Sequence, residues 1–484
     1  MAKNNTDEDK IYEIAKRKGF FYPSSEIYGG LTGFYDYGNI GTAIKRNIEG
    51  LWRTHYLGLG DSYCEIEPAN VMHEKVFVAS GHLKNFTDPS VRCTKCGAYH
   101  RADHIIGEAL GKSVEGKSES DMTLLIRQNN IVCPKCGGRL GDVKVLNMMF
   151  PTRLGAEEDT LAYLRPETAQ GDYVNFLRQF NILRSRLPMG LAIIGKAFRN
   201  EISPRQLIIR QREFTQAELQ IFFDPEKINE CELWEAVKDY QIRVLFVGDD
   251  KEVMLTCEEL ASKRGMPKFY AYHLAKQQQF FTEVLKFPIE KIRMRELSKE
   301  ERAFYNKIHF DVEVYIDVFK EFREVGGTHY RTDHDLGGHG KISGKSHEIF
   351  YEGRRFVPHV LELSLGIDRI LFASMSLFYR GTEGREWDWF AFPESIAPFK
   401  YAVFPLVNKD GIPEAAEKIY KEIKSRHTAT YDSSGSIGRR YARTDEIGVP
   451  FAITVDYQTL EDGTVTVRDR DTMSQVRRKV SEIK

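Results

Sequence analysis

Residues 191–202, LAIIGKAFRNEI, and residues 212–223, REFTQAELQIFF, decide the fold. Both runs are dense in the apolar and aromatic residues that suit strands, and the loop between them carries Pro204, Arg205 and Arg210, with Arg212 at its border. Two such runs across one basic loop predict a long antiparallel hairpin. Phe198-Arg199-Asn200-Glu201 sits where the first strand ends, and the return strand carries Phe214 and Glu218. An Arg beside a Glu at a hairpin mouth is most often only a surface ion pair. The stretch gains meaning from two others.

The first of these is Leu361-Glu362-Leu363-Ser364-Leu365-Gly366-Ile367-Asp368-Arg369-Ile370-Leu371. It reads as a strand with alternate polar residues, then Gly366, then a helix with Arg369 in its first turn. A cation there opposes the helix dipole and calls for an anionic partner. The second is Leu164-Arg165-Pro166-Glu167-Thr168-Ala169-Gln170-Gly171, where Pro166 and Glu167 suit a helix start. HFDVEVYIDV at 309–318 alternates as a further strand.

Outward from this core, residues 7–18 predict an amphipathic helix ending at Gly19. Residues 42–57 predict another, with Thr42 as N-cap and Ile44, Ile48, Leu51 and Trp52 on one face. Tyr63 to Ala69 is strand-like and interrupted by Pro68, and residues 107–121 read as a flexible insertion. Residues 226–305 are charge-rich and read as a helical insertion. After a linker holding Pro393 and Pro398, residues 399–484 read as a compact α/β domain: a strand at 401–407, a helix at 413–426, the loop SSGSIGRRYAR, and strands at 451–456 and 464–468. Arg439, Arg440 and Arg443 in that loop suit an RNA phosphate contact or a solvated charged loop equally well. Gly338 to Ser346 imitates a phosphate-binding loop but has the wrong glycine spacing, and so reads as a Gly-rich surface loop.

Of seven cysteines, Cys93, Cys96, Cys133 and Cys136 form two C-x-x-C pairs, each followed by a glycine, Gly97 or Gly137. Four thiolates on two tight turns match a closed, structural zinc site. An odd cysteine count behind a polar N-terminus argues against disulfides. The 484 residues carry a net charge of −1 with 42% hydrophobic residues, which excludes a histone-like basic tail and a disordered acidic chain. No apolar run approaches the ~18 residues of a membrane span, and MAKNNTDEDK is not a secretory signal.

Together these segments resemble the class II aminoacyl-tRNA synthetases. The stretch around Pro68 resembles their motif 1, Phe198–Glu201 with its hairpin motif 2, and Gly366–Arg369 motif 3, while the C-terminal α/β domain is similar to their anticodon-binding domain. Within the class, RPETAQG, FRNEISPR with RQREFTQAE, and RTDHDLGGH are similar to the glycyl-tRNA synthetase family of the homodimeric type, and the two C-x-x-C pairs fit its zinc-containing insertion. One departure lies at 325–330, Val-Gly-Gly-Thr-His-Tyr, where family members more often carry a Leu and an Ile-Ala pair.

The resemblance implies an α+β fold, an antiparallel sheet flanked by helices. It divides the chain into catalytic parts at 1–92, 146–225 and 306–392, a zinc insertion at 93–145, a helical insertion at 226–305 and an anticodon-binding domain at 399–484. It implies a cytoplasmic homodimer that uses ATP, Mg²⁺ and structural Zn²⁺ to form glycyl-adenylate and transfer glycine to the 3′ end of tRNA(Gly). Arg199 and Arg369 are then catalytic, on the α- and γ-phosphates. The implied ATP contacts are Arg199, Asn200, Glu201, Ile209, Arg210, Gln211, Arg212, Glu213, Phe214, Glu324, Val325, Gly366, Ile367, Asp368 and Arg369, with Phe214 stacked on adenine. The implied glycine contacts are Arg101, Glu167, Phe214, Thr215, Gln216, Ala217, Glu218, Arg331, Glu362, Leu363, Ser364, Leu365 and Gly366, with Glu167, Glu218 and Glu362 on the ammonium and Arg331 and Arg101 on the carboxylate. A prolyl or threonyl enzyme shares the sheet, but the acid-rich set favours glycine. An inactive nucleic-acid-binding paralogue would have lost Arg199 or Arg369, and both are present.

Overall fold

The computed structural model describes residues 6–112, 114, 116–156, 160–204, 206–303, 305–382 and 384–483. Arg205 lies outside the described residues. The expected hairpin is there, and it lies within a nine-stranded sheet. In chain order the strands are β1 (Tyr63–Glu65), β2 (Met189–Phe198), β3 (Glu213–Phe223), β4 (Gln241–Leu245), β5 (Val253–Thr256), β6 (Ile292–Glu296), β7 (Ile308–Ile316), β8 (Glu321–Thr332) and β9 (His359–Gly366). Their order across the sheet is β5-β4-β6-β7-β8-β9-β3-β2-β1. Every pairing is antiparallel except β1 with β2 and β4 with β6.

Side chains alternate across a strand, so each central strand divides its residues between two layers. On β3, Ala217, Leu219 and Ile221 enter the main core, and on β9 Leu361, Leu363 and Leu365 do the same. That core is closed by α2 (Asn39–Leu57) and α5 (Ile367–Phe378). Phe222, Val360, Met189 and Leu191 face the other way, into a second cluster with Tyr173, Phe176 and Phe180 of α3 (Ala169–Ile182). Between these apolar patches the second face carries the polar residues of the site.

Several expectations are corrected by the coordinates. α2 starts at Asn39 with Gly38 at its cap, and the Thr42 hydroxyl donates to Tyr37 O at 3.2 Å inside the first turn. A side chain at Gly41 would lie 1.8 Å from the Phe20 carbonyl oxygen, so the helix can pass that backbone only where a glycine stands. The strand at 63–69 stops at Glu65, before Pro68. Pro166 and Glu167 precede α3, whose cap is Thr168. Of residues 107–121, the two ends belong to helices Ala102–Leu110 and Glu119–Gln128, packed under a three-stranded sheet, and only the connection between them is irregular; residues 113 and 115 lie outside the described residues. Residues 226–305 are not a helical insertion: they supply β4, β5 and β6 to the main sheet beside helices Cys257–Arg264 and Lys268–Gln279. Gly338–Ser346 is mostly helix, the end of α4 (His334–Ser343).

In the C-terminal part a five-stranded sheet, in spatial order Ala429–Tyr431, Tyr401–Pro405, Phe451–Val455, Thr464–Asp469 and Gln475–Lys479, packs against helix Ile412–Lys424. The arginine loop is in fact a helix, Ile437–Asp445. Arg440 is buried and donates to the carbonyls of Pro405, Ser433 and Gly435, and Arg443 pairs with Asp432; Arg439 alone of the three is exposed. Among the described residues no helix is long and apolar enough to cross a membrane.

Asp445 ties this part to the segment before it. Its buried carboxylate accepts from both Arg468 nitrogens at 2.9 and 3.0 Å, from Arg385 at 2.7 Å and from the Trp387 indole at 3.3 Å. Asp445→Ala leaves two buried guanidiniums without their shared counter-charge, which costs about 3–5 kcal/mol. Denaturant titration should show a loss of that size in the transition reporting the C-terminal part. A loss under about 1 kcal/mol would contradict this placement of the charges.

Candidate active site

The polar face is assembled by register. Glu218 on β3 pairs across with Ser364 on β9, which pairs with Gly327 on β8; Gln220, Glu362 and His329 form the adjacent row. Arg331 lies two residues beyond His329 on β8, and α3 brings Glu167, Thr168 and Gln170 over this patch from above. Arg331 is 1% exposed and donates to Asp335 at 2.9 Å, to Glu362 at 2.9 Å and, more distantly, to Glu167 at 3.4 Å. Gln170 bridges Glu167 (2.9 Å) and Asp335 (3.0 Å), and Gln220 donates to Glu362 at 2.8 Å. Glu218 accepts from the Ala169 amide at 2.8 Å and the Thr168 hydroxyl at 2.5 Å, at the start of α3.

The charges do not balance. One guanidinium faces Glu167, Glu362 and Asp335, while Glu218 has only neutral donors. Burial, then the nearby Glu362 and Glu167, push the Glu218 carboxyl up to about 8. Burial and Glu167 raise Glu362 even against Arg331. Burial also acts on Glu167, but Arg331 and His82 outweigh it and hold that carboxyl well below the usual range. Asp172, buried with both oxygens lacking a partner, is pushed well up by burial and Glu218. The acids of the site thus outnumber the cations that face them.

Beside this patch runs a basic arm. The Arg199 guanidinium lies 5.2 Å from the Phe214 ring centre and 5.5 Å from that of Phe86, with its Nε donating to Pro166 O at 3.0 Å. Arg369, at the start of α5, donates to Ile209 O at 3.1 Å and pairs with Glu324 at 3.0 Å. Arg210 pairs with the Glu201 carboxylate at 2.8 Å, and Arg212 donates to the Glu201 backbone carbonyl at 2.8 Å, so Glu201 holds both arginines of the hairpin loop. An aromatic ring beside one guanidinium, with a second at the start of α5, can hold a planar base with a polyphosphate.

The remaining expected contacts divide. Gln216 and Gly366 follow the site face by alternation, whereas the side chains of Thr215, Ala217, Leu363, Leu365, Val325 and Ile367 point into the opposite layer and offer only backbone. Asp368 is buried against Lys45, the Thr215 amide and Tyr37, a structural anchor rather than a nucleotide contact. Gln211 is likewise internal, bonded to Ile208 O and Tyr37. Glu213 pairs with Lys196, and the Asn200 amide donates to Met148 O. Arg101 is engaged by Asp88 and Asp103. Residues absent from the expected set are Gln170, Gln220, Asp335, His82 and His329. Gln220, Gln170, Asp335 and His329 each stand two to four residues from a named site residue (Glu218, Glu167 or Arg331); only His82 arrives from a distant segment.

Cys93, Cys96, Cys133 and Cys136 place their sulfurs within 4.8 Å of one another, a set able to hold a metal ion. Gly97 and Gly137 both have positive φ, and a Cβ at Gly138 would crowd the Cys93 and Cys136 sulfurs at 3.1 and 3.2 Å. The turns therefore close around the four sulfurs as a tetrahedral thiolate site requires.

Residues 153–377 match the family described as tRNA synthetase class II core domain (G, H, P, S and T), and residues 400–484 match Anticodon binding domain. The chain is 39% identical to a glycine–tRNA ligase of Aeropyrum pernix, covering 98% of this chain and 95% of that one. It is 40% identical to a glycine–tRNA ligase of Pyrococcus furiosus, covering 98% and 97%. Among solved structures, a prolyl-tRNA synthetase from Cryptosporidium parvum complexed with L-proline and AMP superposes with a TM-score of 0.59 at 13% identity, over 99% of this chain and 76% of that one, a likeness of fold.

Glu218 gives the site a pH signature. Between 4.5, its ordinary value, and about 8, the folded protein holds a proton that the unfolded chain has lost. That contribution to stability is complete below the lower value and is lost as pH rises, at about 1.4 kcal/mol per unit. Glu218→Gln keeps an acceptor for Thr168 and Ala169 and cannot ionise. Denaturant titrations at pH 6, 7 and 8 should show the variant gaining on the parent as pH rises. A constant difference would contradict the raised carboxyl.

Proposed function

This chain belongs to the glycine–tRNA ligase family of class II aminoacyl-tRNA synthetases, and from that premise we propose that the acid cluster is its glycine pocket and the arginine arm its ATP site. The enzyme joins glycine to tRNA at the expense of ATP. The observation that carries the finer reading is the excess of acids: Glu218, Glu362 and Glu167 converge on a space with less positive charge than they need. The ammonium of an amino acid supplies that charge. Bound there, it stabilises Glu218 as a carboxylate, so binding releases a proton. Arg331, already shared among three acids, orients them, and it and Arg101, whose guanidinium is engaged by Asp88 and Asp103, are the cations assigned to the substrate carboxylate.

The attacking group is a carboxylate that is ionised at neutral pH, so the first step needs no general base. It needs in-line placement and neutralisation of phosphate charge. Arg199 serves the α-phosphate and Arg369 the γ-phosphate, with the adenine ring on Phe214. Glu324, paired with Arg369, is the residue that would hold Mg²⁺, which shares the phosphate charge when bound. Zinc in the four-cysteine site would be structural, since four protein thiolates leave no open position. tRNA(Gly) is the second substrate, with the C-terminal domain on its anticodon and the exposed Arg439 rather than Arg440 toward its phosphates. A homodimer would cover Ile27 and Tyr28, which are 88% and 86% exposed on the turn leading toward α2, and the enzyme would work in the cytoplasm.

Arg199→Ala and Arg369→Ala should each lose about 10²–10³-fold or more in glycine-dependent ATP–pyrophosphate exchange while keeping the parental unfolding midpoint. Near-parental exchange in either folded variant would refute the arginine assignments. Exchange supported by another amino acid and not by glycine would refute the pocket.

A further inference from the structure

His329 lies on β8 inside the glycine pocket, and no role has yet been given to it. It pairs in register with Glu362 on one side and His309 on the other. Its Nε2 is 3.2 Å from the Ser364 hydroxyl and 3.4 Å from a Glu362 oxygen. That reach into the next row is possible because Gly327 is there: a Cβ at Gly327 would sit 2.5 Å from His329 Nε2 and 3.3 Å from His309 Nε2. The imidazole therefore lies along the strand over a glycine, filling space beside Ser364 that any side chain at 327 would have claimed.

Its tautomer is set from behind. The Asn306 amide nitrogen lies 3.2 Å from His329 Nδ1 and 3.4 Å from His309 Nδ1, giving one hydrogen to each. Both Nδ1 atoms accept, so each neutral ring carries its proton on Nε2. His309 Nε2 lies 3.0 Å from an Asp311 oxygen, and His329 Nε2 is hydrogen-bonded to Ser364 with a Glu362 oxygen 3.4 Å away. Burial, with His309 and Arg331 nearby, holds His329 well below its ordinary range, which keeps the ring neutral.

We infer that His329 is a positioning and specificity-determining residue: its ring, laid over Gly327, closes the amino-acid pocket on the β8 side, and its Nε2–H holds Ser364 and Glu362 in place for the substrate. The inference rests on the reading of this pocket as glycine's. Glycine offers no side chain to grip, so a larger amino acid is refused by what occupies the space at its Cα. Ser364 alone is a small residue; the imidazole beside it is the bulk.

Three variants separate shape from hydrogen bonding in pyrophosphate exchange with glycine and with alanine. His329→Ala should raise the glycine KM about tenfold or more, leave the ATP KM within about twofold, and raise the alanine-to-glycine ratio of kcat/KM at least about tenfold. His329→Gln, whose amide nitrogen reaches where Nε2 was, should stay within about threefold of the parent in glycine KM and still refuse alanine. His329→Leu should refuse alanine yet show the raised glycine KM. An alanine variant with parental glycine KM and parental selectivity overturns the inference, as does a glutamine variant no better than leucine. Should the alanine variant fail to fold, the glutamine–leucine pair still decides the hydrogen-bonding role. Failure of the parent to use glycine at all would instead sink the pocket assignment, so the two failures are distinguishable.

Discussion

The buried Arg331 and the acids around it set the terms for the rest of the catalytic face. A guanidinium at 1% exposure is tolerable only with most of its donors filled, and Asp335, Glu362 and Glu167 take four of the five. Those acids come from α4, β9 and the approach to α3, so satisfying one side chain fixes the relative placement of three elements. The same arrangement leaves Glu218 surplus, two residues from Gln220 on β3 and within reach of the same space. An excess of buried negative charge is unfavourable in the empty protein and is relieved by a small cation. The proposed recognition of an ammonium and the raised Glu218 carboxyl are two expressions of that one imbalance.

Selectivity against side chains has a different source. The period of two on β3, β8 and β9 places Glu218, Glu362, Ser364 and His329 on one face while Leu219, Leu361, Leu363 and Leu365 fill the other. A one-residue slip would exchange the two sets, so the leucine layer pins the register of the acids. The enzyme's hydrophobic packing and the substrate recognition proposed for it are thus one constraint viewed from opposite faces of the sheet.

How much of this the sequence disclosed follows from how local each feature is. The β2–β3 hairpin, the β9–α5 junction with Arg369, and the four cysteines were legible because their signals lie within a dozen residues or in a repeated spacing. The charge-rich 226–305 segment misled, because helix-friendly composition there coexists with three short strands that exist only through pairing with β7 and one another. Arg440 misled for a related reason: an arginine cluster reads as a surface, yet this arginine bonds four backbone carbonyls inside the domain. His82 enters the site from a separate segment that no spacing announces, whereas Gln170 and Asp335 stand three residues after Glu167 and four after Arg331, inside stretches already singled out. Asp368, adjacent to Arg369, belongs to the opposite layer, where helix geometry turns it toward Lys45.

The central claim is that a substrate ammonium completes the charge of a pocket in which Glu218 is otherwise protonated. Calorimetric titration of the enzyme with glycine at pH 7, repeated in buffers of different ionisation enthalpy, counts the protons exchanged on binding. With Glu218 at about 8, the account predicts release of close to one proton per glycine, and loss of that release in Glu218→Gln. Binding with no proton release, or with the same release in the variant, would contradict it.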